Sequence, residues 1–218
     1  QYRGAEAAAE AAKRAGIRRF LLMSANGIDS AETPYQTTKL RAEAMIRESG
    51  LDYTIFRPSV IFGDPRGTME FATQLYQDMV RMPMPAAGFH TGLNPAHGEV
   101  LMSPVHVRDV ADAFVNALPD DATIGQCYVL GGPEVVSWPE MIRRIAAAVG
   151  KKKLILPMPI GFMKLGATLF DWLPFFPVTR DQLTMLADGN TAEPDEVAAL
   201  IEREPAEFSP ENLSYLAG

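Results

Sequence analysis

The chain has 218 residues, of which 47% are hydrophobic and 22% charged, a composition typical of a folded globular protein of one domain or one domain with a small lobe. Its formal net charge of −7 argues against a nucleic-acid-binding protein, because such proteins need an excess of Lys and Arg. The single cysteine excludes an internal disulfide and fits a reducing compartment, so the composition favours a cytoplasmic protein.

The first part of the chain alternates predicted helices and strands. Residues 4–15 are rich in Ala and predict a helix, and residues 18–23 are an apolar run typical of a buried parallel strand. The next helix begins with a capping-box pattern, in which Thr33 is the N-cap and Gln36 stands three positions later. A second short strand is predicted at residues 53–56.

The rest of the chain continues this alternation around one long loop. In chain order the patterns predict a helix at 69–82, a loop at 83–98, a strand at 100–107, a helix at 109–118, a strand at 127–130 and a helix at 138–149. Asp109 is expected to cap the helix that follows it; the alternative is that His106 or Arg108 faces the substrate cleft. Such alternation predicts an α/β fold, with a doubly wound parallel sheet and a small, mostly helical carboxy-terminal lobe.

Two further segments leave alternatives open. Residues 154–177 are the most apolar stretch and favour a lobe helix over the substrate cleft; the alternative is a surface for a membrane, a quinone-like substrate or a partner protein. Residues 189–218 are polar and acidic, and predict a helix and tail on the surface. No metal site is predicted, since His90 and His97 in the long loop have no third ligand beside them.

Three residues predict a site for carbonyl chemistry. Tyr35 and Lys39 are four positions apart on the capped helix and so share one face, while Ser24 ends the strand before it. A Tyr side chain has an ordinary pKa of about 10, and a nearby ammonium lowers it towards the range useful for acid–base catalysis. Tyr35 would then be the acid/base, Lys39 its electrostatic partner and Ser24 the substrate anchor. The structural alternative is a half-buried Tyr beside a solvated Lys.

The run from Ala11 to Asp64 resembles the extended and atypical short-chain dehydrogenases/reductases, which include NAD-dependent epimerases and dehydratases. Within them it is most similar to the group related to the nucleotide-binding accessory subunit of respiratory complex I. Residues 103–111, 128–133 and 179–183 extend the resemblance over nearly the whole chain.

The resemblance assigns roles to particular residues. Ser24, Tyr35 and Lys39 match the Ser-Tyr-Lys set of the family, in which Tyr35 and Lys39 also contact the cofactor and Lys39 binds its ribose. A further segment matches the stretch that passes the nicotinamide ring, and consists of Arg57, Pro58, Ser59 and Val60. The cofactor implied is NADP or NAD. The family's glycine-rich phosphate-binding turn is not found in these 218 residues, so we expect an incomplete Rossmann-like sheet that binds a dinucleotide weakly or not at all.

The resemblance also implies a division of the chain and a function. Residues 1–62 and 103–130 would form the carboxy-terminal part of the nucleotide-binding domain, and residues 63–102 and 131–218 a substrate lobe. The expected function is that of an NAD(P)-dependent oxidoreductase, or an epimerase or dehydratase, acting on a small carbonyl, alcohol or quinone-like substrate. The alternative is a non-catalytic nucleotide-binding accessory or assembly module of the complex I type. For either function the expected location is the cytoplasm, with peripheral attachment to the inner membrane left open.

Overall fold

A computed structural model describes residues 2–92, 98–161 and 180–217 of the chain. Seven α-helices are described: α1 (Tyr2–Arg14), α2 (Pro34–Arg47), α3 (Phe71–Leu75), α4 (Val107–Ala117), α5 (Trp138–Ala148), α6 (Arg180–Asp188) and α7 (Asp195–Ile201). The strands described are β1 (Arg19–Met23), β2 (Asp52–Pro58), β3 (Ile61–Phe62), β4 (Ala86–His90), β5 (Leu101–Met102), β6 (Val105–His106), β7 (Cys127–Leu130), β8 (Val136–Ser137) and β9 (Ile155–Pro159).

The central sheet is parallel and has the order β1-β2-β7. Leu22 pairs with Ile55, and Phe56 pairs with Tyr128, so the carboxyl ends of the three strands meet at one edge. Side chains alternate between the two faces of a strand, and both faces are covered here. One face packs against α1 and α2 through Ile46, and the other packs against α4 and α7 around Phe56. The predicted parallel α/β fold is confirmed.

The second part of the molecule has its own apolar core. It is built around α5, with further side chains from α3, β4 and the last residues of the chain; its members with no more than 2% exposure include Phe62, Phe89, Met141, Ile142, Ile145, Phe208 and Leu213. The prediction of a surface tail at 189–218 was therefore wrong for Phe208 and Leu213, which are fully buried. Their spacing shows no helical or strand period, so only the packing reveals them.

Two local predictions need correction. Residues 83–98 were expected to form a loop, but Ala86–His90 form β4, which pairs in parallel with β9. That pairing joins segments about 70 residues apart, so no pattern within residues 83–98 could predict the strand. The N-cap of α4 is His106, whose Nδ1 accepts the Arg108 N–H at 3.2 Å, and not Asp109. Asp109 is buried instead, and its carboxylate forms an ion pair with the Arg203 guanidinium at 2.6 Å.

Other predictions are only partly covered by the described residues. The apolar segment 154–177 begins as β9, and its predicted helix between Pro159 and Pro174 lies almost entirely outside the described residues, as does His97. Among the residues described, no helix is both long enough and apolar enough to cross a membrane. The division into a nucleotide-binding part and a lobe stays a prediction, and α7 packs against α4 and β7 of the former.

Gly132 lies where the chain leaves β7, and it permits a very close approach of two backbone segments. A Cβ at this position would be 2.8 Å from the carbonyl carbon of Pro104 and nearer still to its oxygen. We expect Gly132→Ala to lower the free energy of unfolding by about 2 kcal/mol, because backbone atoms must move apart. Gly4→Ala is the matched control: it meets no atom within 4 Å in α1 and should stabilise by about 0.5 kcal/mol. Chemical denaturation measures both, and equal effects would contradict the prediction.

Candidate functional site

The candidate site lies where β1 ends and α2 begins. The predicted capping box is present: Thr33 Oγ1 accepts the Gln36 N–H at 3.2 Å, and Gln36 Oε1 accepts the Thr33 N–H at 2.9 Å. The Gln36 amide also donates to the Gly27 carbonyl at 2.8 Å and to the Ser30 hydroxyl at 2.8 Å. These bonds fix the first turn of α2 against the loop that follows β1, and so fix the direction in which Tyr35 leaves the helix.

Tyr35 and Lys39 lie together on α2, as predicted from their spacing. The Lys39 ammonium is 5.8 Å from the centre of the Tyr35 ring. It donates to the carbonyl oxygen of Met23 at 3.0 Å and to that of Ser24 at 3.4 Å, at the end of β1. An ammonium has three N–H donors, so these bonds leave one for another acceptor. Tyr35 is 36% exposed, and its hydroxyl makes no hydrogen bond among the described residues.

The electrostatics of this pair differ from the sequence argument. Burial raises the pKa of the Tyr35 phenol, although a neighbouring ammonium was expected to lower it. Burial likewise lowers the pKa of Lys39, and the negative charge of Glu43 partly opposes this. The reason lies in the geometry, since Lys39 directs its hydrogen bonds to strand carbonyls and not to the phenolic oxygen. In this structure Tyr35 is therefore held as the neutral phenol.

Ser24 reaches the site with its main chain, while its side chain is enclosed. The residue is 3% exposed, and its N–H donates to the Phe56 carbonyl at 2.7 Å. Its hydroxyl makes no hydrogen bond of good geometry, yet it lies close enough to the Glu43 carboxylate to help lower the pKa of that group. The structure thus brings together Tyr35, Lys39 and the Ser24 carbonyl, and it places the Ser24 hydroxyl beneath them, on the inner side of α2.

Glu43 anchors α2 to the central sheet, and the sequence analysis did not identify it. Its carboxylate is 3% exposed and accepts two 2.8 Å bonds from the Arg57 guanidinium and one of 3.2 Å from Arg47. Burial acts to raise the pKa of Glu43, but the hydrogen bonds from Arg57, the nearby Ser24 hydroxyl and the positive charges of Arg57 and Arg47 outweigh it and leave the pKa lowered. Positions 35, 39 and 43 follow one helix face, so the four-residue spacing is the signal that could have revealed Glu43.

The segment Arg57–Val60, which is predicted to pass the nicotinamide, forms hydrogen bonds with several other parts of the chain. The Arg57 guanidinium binds Asp29 at 3.1 Å as well as Glu43, so its donors face α2 and the loop before it. Pro58 accepts the Asn26 N–H at 2.9 Å. Ser59 donates its N–H to Leu130 at 2.9 Å and its hydroxyl to Asn190 at 2.8 Å. Val60 is the member of the segment that lines a cavity.

That cavity lies between the end of the sheet and the second apolar core, and it has a volume of about 270 Å³. Its wall is mostly apolar, and comes from α3, the π-helical turn Tyr76–Val80, β4, α5 and α6; the apolar side chains are Val60, Phe71, Leu75, Met79, Phe89, Met102, Trp138, Met185 and Leu186. The polar lining groups described are Asn26, Gln74, Asp78 and Asn190. None of the described lining residues is Lys or Arg, so the cavity suits a neutral, apolar molecule.

Asn26 and Asn190 join the two parts of the molecule at the cavity. The Asn26 amide donates to Asn190 Oδ1 at 2.8 Å and to the Thr191 carbonyl at 2.8 Å. These residues are 164 positions apart, so no sequence pattern could have paired them. Among the described residues, no group of three or more His, Cys, Asp or Glu side chains is arranged to hold a metal ion.

Comparison with known proteins gives consistent results. Residues 1–85 match the NAD(P)H-binding family model. The NADH-ubiquinone oxidoreductase 40 kDa subunit of Neurospora crassa is 26% identical over 178 residues, covering 80% of this chain and 43% of that protein. UDP-glucose 4-epimerase of Vibrio cholerae is 24% identical over 175 residues, covering 71% of this chain and 51% of the epimerase. The chain therefore spans about half or less of the length of these relatives.

Solved structures show the same fold. The NADPH complex of the quinone oxidoreductase QOR2 from Escherichia coli superimposes with a TM-score of 0.68 at 16% identity, covering 96% of this chain and 69% of that one. Fold, family model and sequence relatives agree with the resemblance in the sequence. The chain is therefore similar to NAD(P)-binding oxidoreductases and epimerases of the extended and atypical short-chain dehydrogenase/reductase type, and its relatives include a subunit of NADH-ubiquinone oxidoreductase.

Proposed function

We propose that this chain carries the substrate-facing part of an NAD(P)H-dependent oxidoreductase that reduces a neutral carbonyl or quinone-like compound. The observation that carries the proposal is the Tyr35–Lys39 pair at the carboxyl end of β1, with the Lys39 ammonium hydrogen-bonded to the strand. In open α/β sheets this edge is where ligands bind. The apolar cavity begins at the same edge, with Asn26 and Gly27 in its wall.

Each residue has a defined task in this proposal. The chemistry that a nicotinamide cofactor would supply when bound is hydride transfer to the substrate. Tyr35 would donate its phenolic proton to the carbonyl oxygen of the substrate, and the remaining N–H of Lys39 would bind a cofactor hydroxyl. Ser24 completes the proposed site. Because its hydroxyl is enclosed, Ser24→Ala separates two roles: loss of a substrate anchor would change KM or kcat, whereas loss of support for Glu43 would change stability.

The cofactor is proposed to be NADP or NAD, held partly by residues of this chain. The Arg57–Val60 segment would flank the nicotinamide, with Arg57 fixing the segment through its bonds to Glu43 and Asp29. The side chain of Val60 reaches the cavity wall, which fits a place beside the reacting ring. Since the 218 residues contain no glycine-rich phosphate turn, we expect this chain alone to bind a dinucleotide weakly.

The cavity favours an apolar substrate over a nucleotide sugar. A diphosphate needs cations or clustered N–H donors, but the charged lining group described is the Asp78 carboxylate. An aromatic ring would instead meet Phe71, Phe89 and Trp138. The similarity in fold to an NADPH-dependent quinone oxidoreductase is compatible with this choice. Residues 154–177 stay a proposed contact surface for such a substrate, a membrane or a partner.

A lysine placed in the cavity wall tests the substrate class. In the complete protein, assayed by NADPH oxidation with 1,4-naphthoquinone, we expect Met79→Lys to raise KM by about tenfold, because an ammonium must be desolvated or must displace the substrate. Met69→Lys is the matched control, since Met69 is 57% exposed outside the cavity. Equal KM values for the two variants, or turnover of UDP-glucose in place of the quinone, would contradict the proposed substrate class.

A non-catalytic accessory role is the second candidate. Two observations favour it: burial raises the pKa of Tyr35, and the Ser24 hydroxyl is enclosed. The similarity to a complex I subunit supports it as well. The two candidates differ in one measurement on the complete protein. Tight NADPH binding by calorimetry, without NADPH oxidation by any ketone or quinone of a broad panel, would establish the accessory role and reject the enzyme.

A further inference from the structure

The lobe surface carries a compact group of basic and apolar side chains, which we call the basic–apolar patch. Two neighbouring segments form it, and its members are Arg81, Met82, Met84, Lys151, Lys152, Lys153, Leu154 and Leu156. Its apolar members are unusually exposed, with Met84 at 63% and Leu154 at 65%. Large apolar side chains exposed beside one another usually mark an interaction surface.

The two segments of the patch are held side by side by the fold. The Lys153 ammonium donates to the carbonyl of Val80 at 3.2 Å and also to that of Met82. The Ala86 N–H donates to the Leu154 carbonyl at 2.8 Å, where β4 and β9 begin to pair. Leu154 and Leu156 are two positions apart on an extended segment and point to the same side. The basic–apolar patch is therefore preformed in the unbound protein.

Its charge is opposite to that of the whole molecule. The chain has a net charge of −7, yet Arg81 and three consecutive lysines meet here. The groove between the two segments has no Asp or Glu among its described lining residues. A nucleic acid would use the cations but not the exposed Met and Leu side chains. A lipid surface uses both, since phosphates attract Lys and Arg while apolar side chains enter the acyl boundary.

We propose that the basic–apolar patch binds the surface of an anionic phospholipid bilayer. Arg81, Lys151 and Lys152 would lie at the headgroup phosphates, and Met84 and Leu154 would enter the boundary of the acyl chains. The π-helical turn Tyr76–Val80 lines the cavity with Met79 and the patch with Val80. An apolar compound dissolved in the bilayer would thus lie next to the cavity. The lipid contact itself does not depend on the proposed catalytic function.

Vesicle co-sedimentation of the complete protein tests the proposal. We expect binding to vesicles of phosphatidylcholine with 30% phosphatidylglycerol, no binding to phosphatidylcholine alone, and loss of binding at 1 M NaCl, where charges are screened within about 3 Å. Lys151→Gln combined with Lys152→Gln should weaken binding by about 25-fold, at about fivefold for each lysine. Lys153 is left unchanged because it holds the two segments together.

Matched variants distinguish the patch from a general surface effect. Lys13→Gln with Arg14→Gln removes two exposed charges from α1 and should leave vesicle binding unchanged. Met84→Ser with Leu154→Ser should weaken binding, whereas Met69→Ser with Val115→Ser, which also alters two exposed apolar residues, should not. Absence of binding to any vesicle, equal loss in both charge variants, or abolition by 10 mM inorganic phosphate without dependence on Met84 and Leu154 would overturn the proposal.

Discussion

Replacing Tyr35 by Phe in the complete protein is expected to lower kcat for carbonyl or quinone reduction by at least about a hundredfold, the lower end of what acid–base catalysis contributes. The variant keeps the aromatic ring beside Lys39 and loses only the proton donor. Binding of NADPH and the midpoint of thermal unfolding should therefore stay close to those of the wild type. Stopped-flow measurement of NADPH oxidation under single-turnover conditions separates the chemical step from product release.

The control for this substitution is Tyr128→Phe. Burial also raises the pKa of Tyr128, but this residue lies in β7, where its ring stacks on Phe56 at 5.9 Å. Loss of its hydroxyl should leave kcat unchanged. Equal rates for Tyr35→Phe and the wild type would remove Tyr35 from the chemistry and leave the accessory role as the better explanation.

The raised pKa of Tyr35 also predicts a pH dependence. A phenol with a raised pKa stays protonated throughout the neutral range, so its capacity to donate a proton should not change between pH 6 and 9. The rate of reduction should fall only above the ordinary range of a Tyr side chain. In the reverse direction Tyr35 must act as a base, so the rate of alcohol oxidation should rise with pH over the same interval. Bound oxidised nicotinamide, which is positively charged, would shift that rise to lower pH.

Replacing Glu43 by Ala is expected to lower the free energy of unfolding by about 4 kcal/mol, because removal of one partner leaves a buried charge without compensation. Glu43 is 3% exposed, and the Arg57 side chain is 16% exposed; they share two hydrogen bonds of 2.8 Å. Without the Glu43 carboxylate, the ion-pair partner that Arg57 keeps within the described part of the chain is Asp29, whose side chain is 73% exposed. Urea denaturation followed by circular dichroism measures the loss.

Two comparisons make this result specific. Glu10→Ala removes a carboxylate that is 63% exposed and 3.9 Å from Arg14 on α1, and should change stability by less than about 0.5 kcal/mol. Glu43→Met combined with Arg57→Met removes both charges and should restore most of the lost stability. A Glu43→Ala variant as stable as Glu10→Ala would show that the buried pair does not hold α2 to the sheet.

The lowered pKa of Glu43 sets the pH range of this effect. A carboxyl whose pKa is lower in the folded than in the unfolded state contributes its stability fully above the unfolded value of about 4.3. That contribution disappears as the pH falls through the lower pKa that Glu43 has in the folded state. The stability difference between wild type and Glu43→Ala should therefore be largest near neutral pH and should shrink in acid. A difference that grows on acidification would contradict the lowered pKa.

The sequence by itself determined the features that depend on neighbouring residues. Thr33 and Gln36 set the start of α2 because a capping box needs only one turn of helix. The separation of four residues placed Tyr35 and Lys39 on one face for the same reason, and the apolar runs of β1 and β2 indicated a buried parallel sheet. The resemblance to short-chain dehydrogenases also predicted the similarity to NAD(P)-binding proteins that the comparisons found.

The tertiary structure alone decided which groups face one another across the fold. It turned the Ser24 hydroxyl towards Glu43, paired Asn26 with Asn190, and joined β4 to β9 into a surface that carries the basic–apolar patch. It also directed Lys39 to strand carbonyls and partly buried Tyr35, and this burial raises the pKa of Tyr35, which the spacing of the two residues had been expected to lower. These outcomes depend on side-chain packing between distant segments, and on the burial this packing creates, neither of which is encoded by the spacing of neighbouring residues.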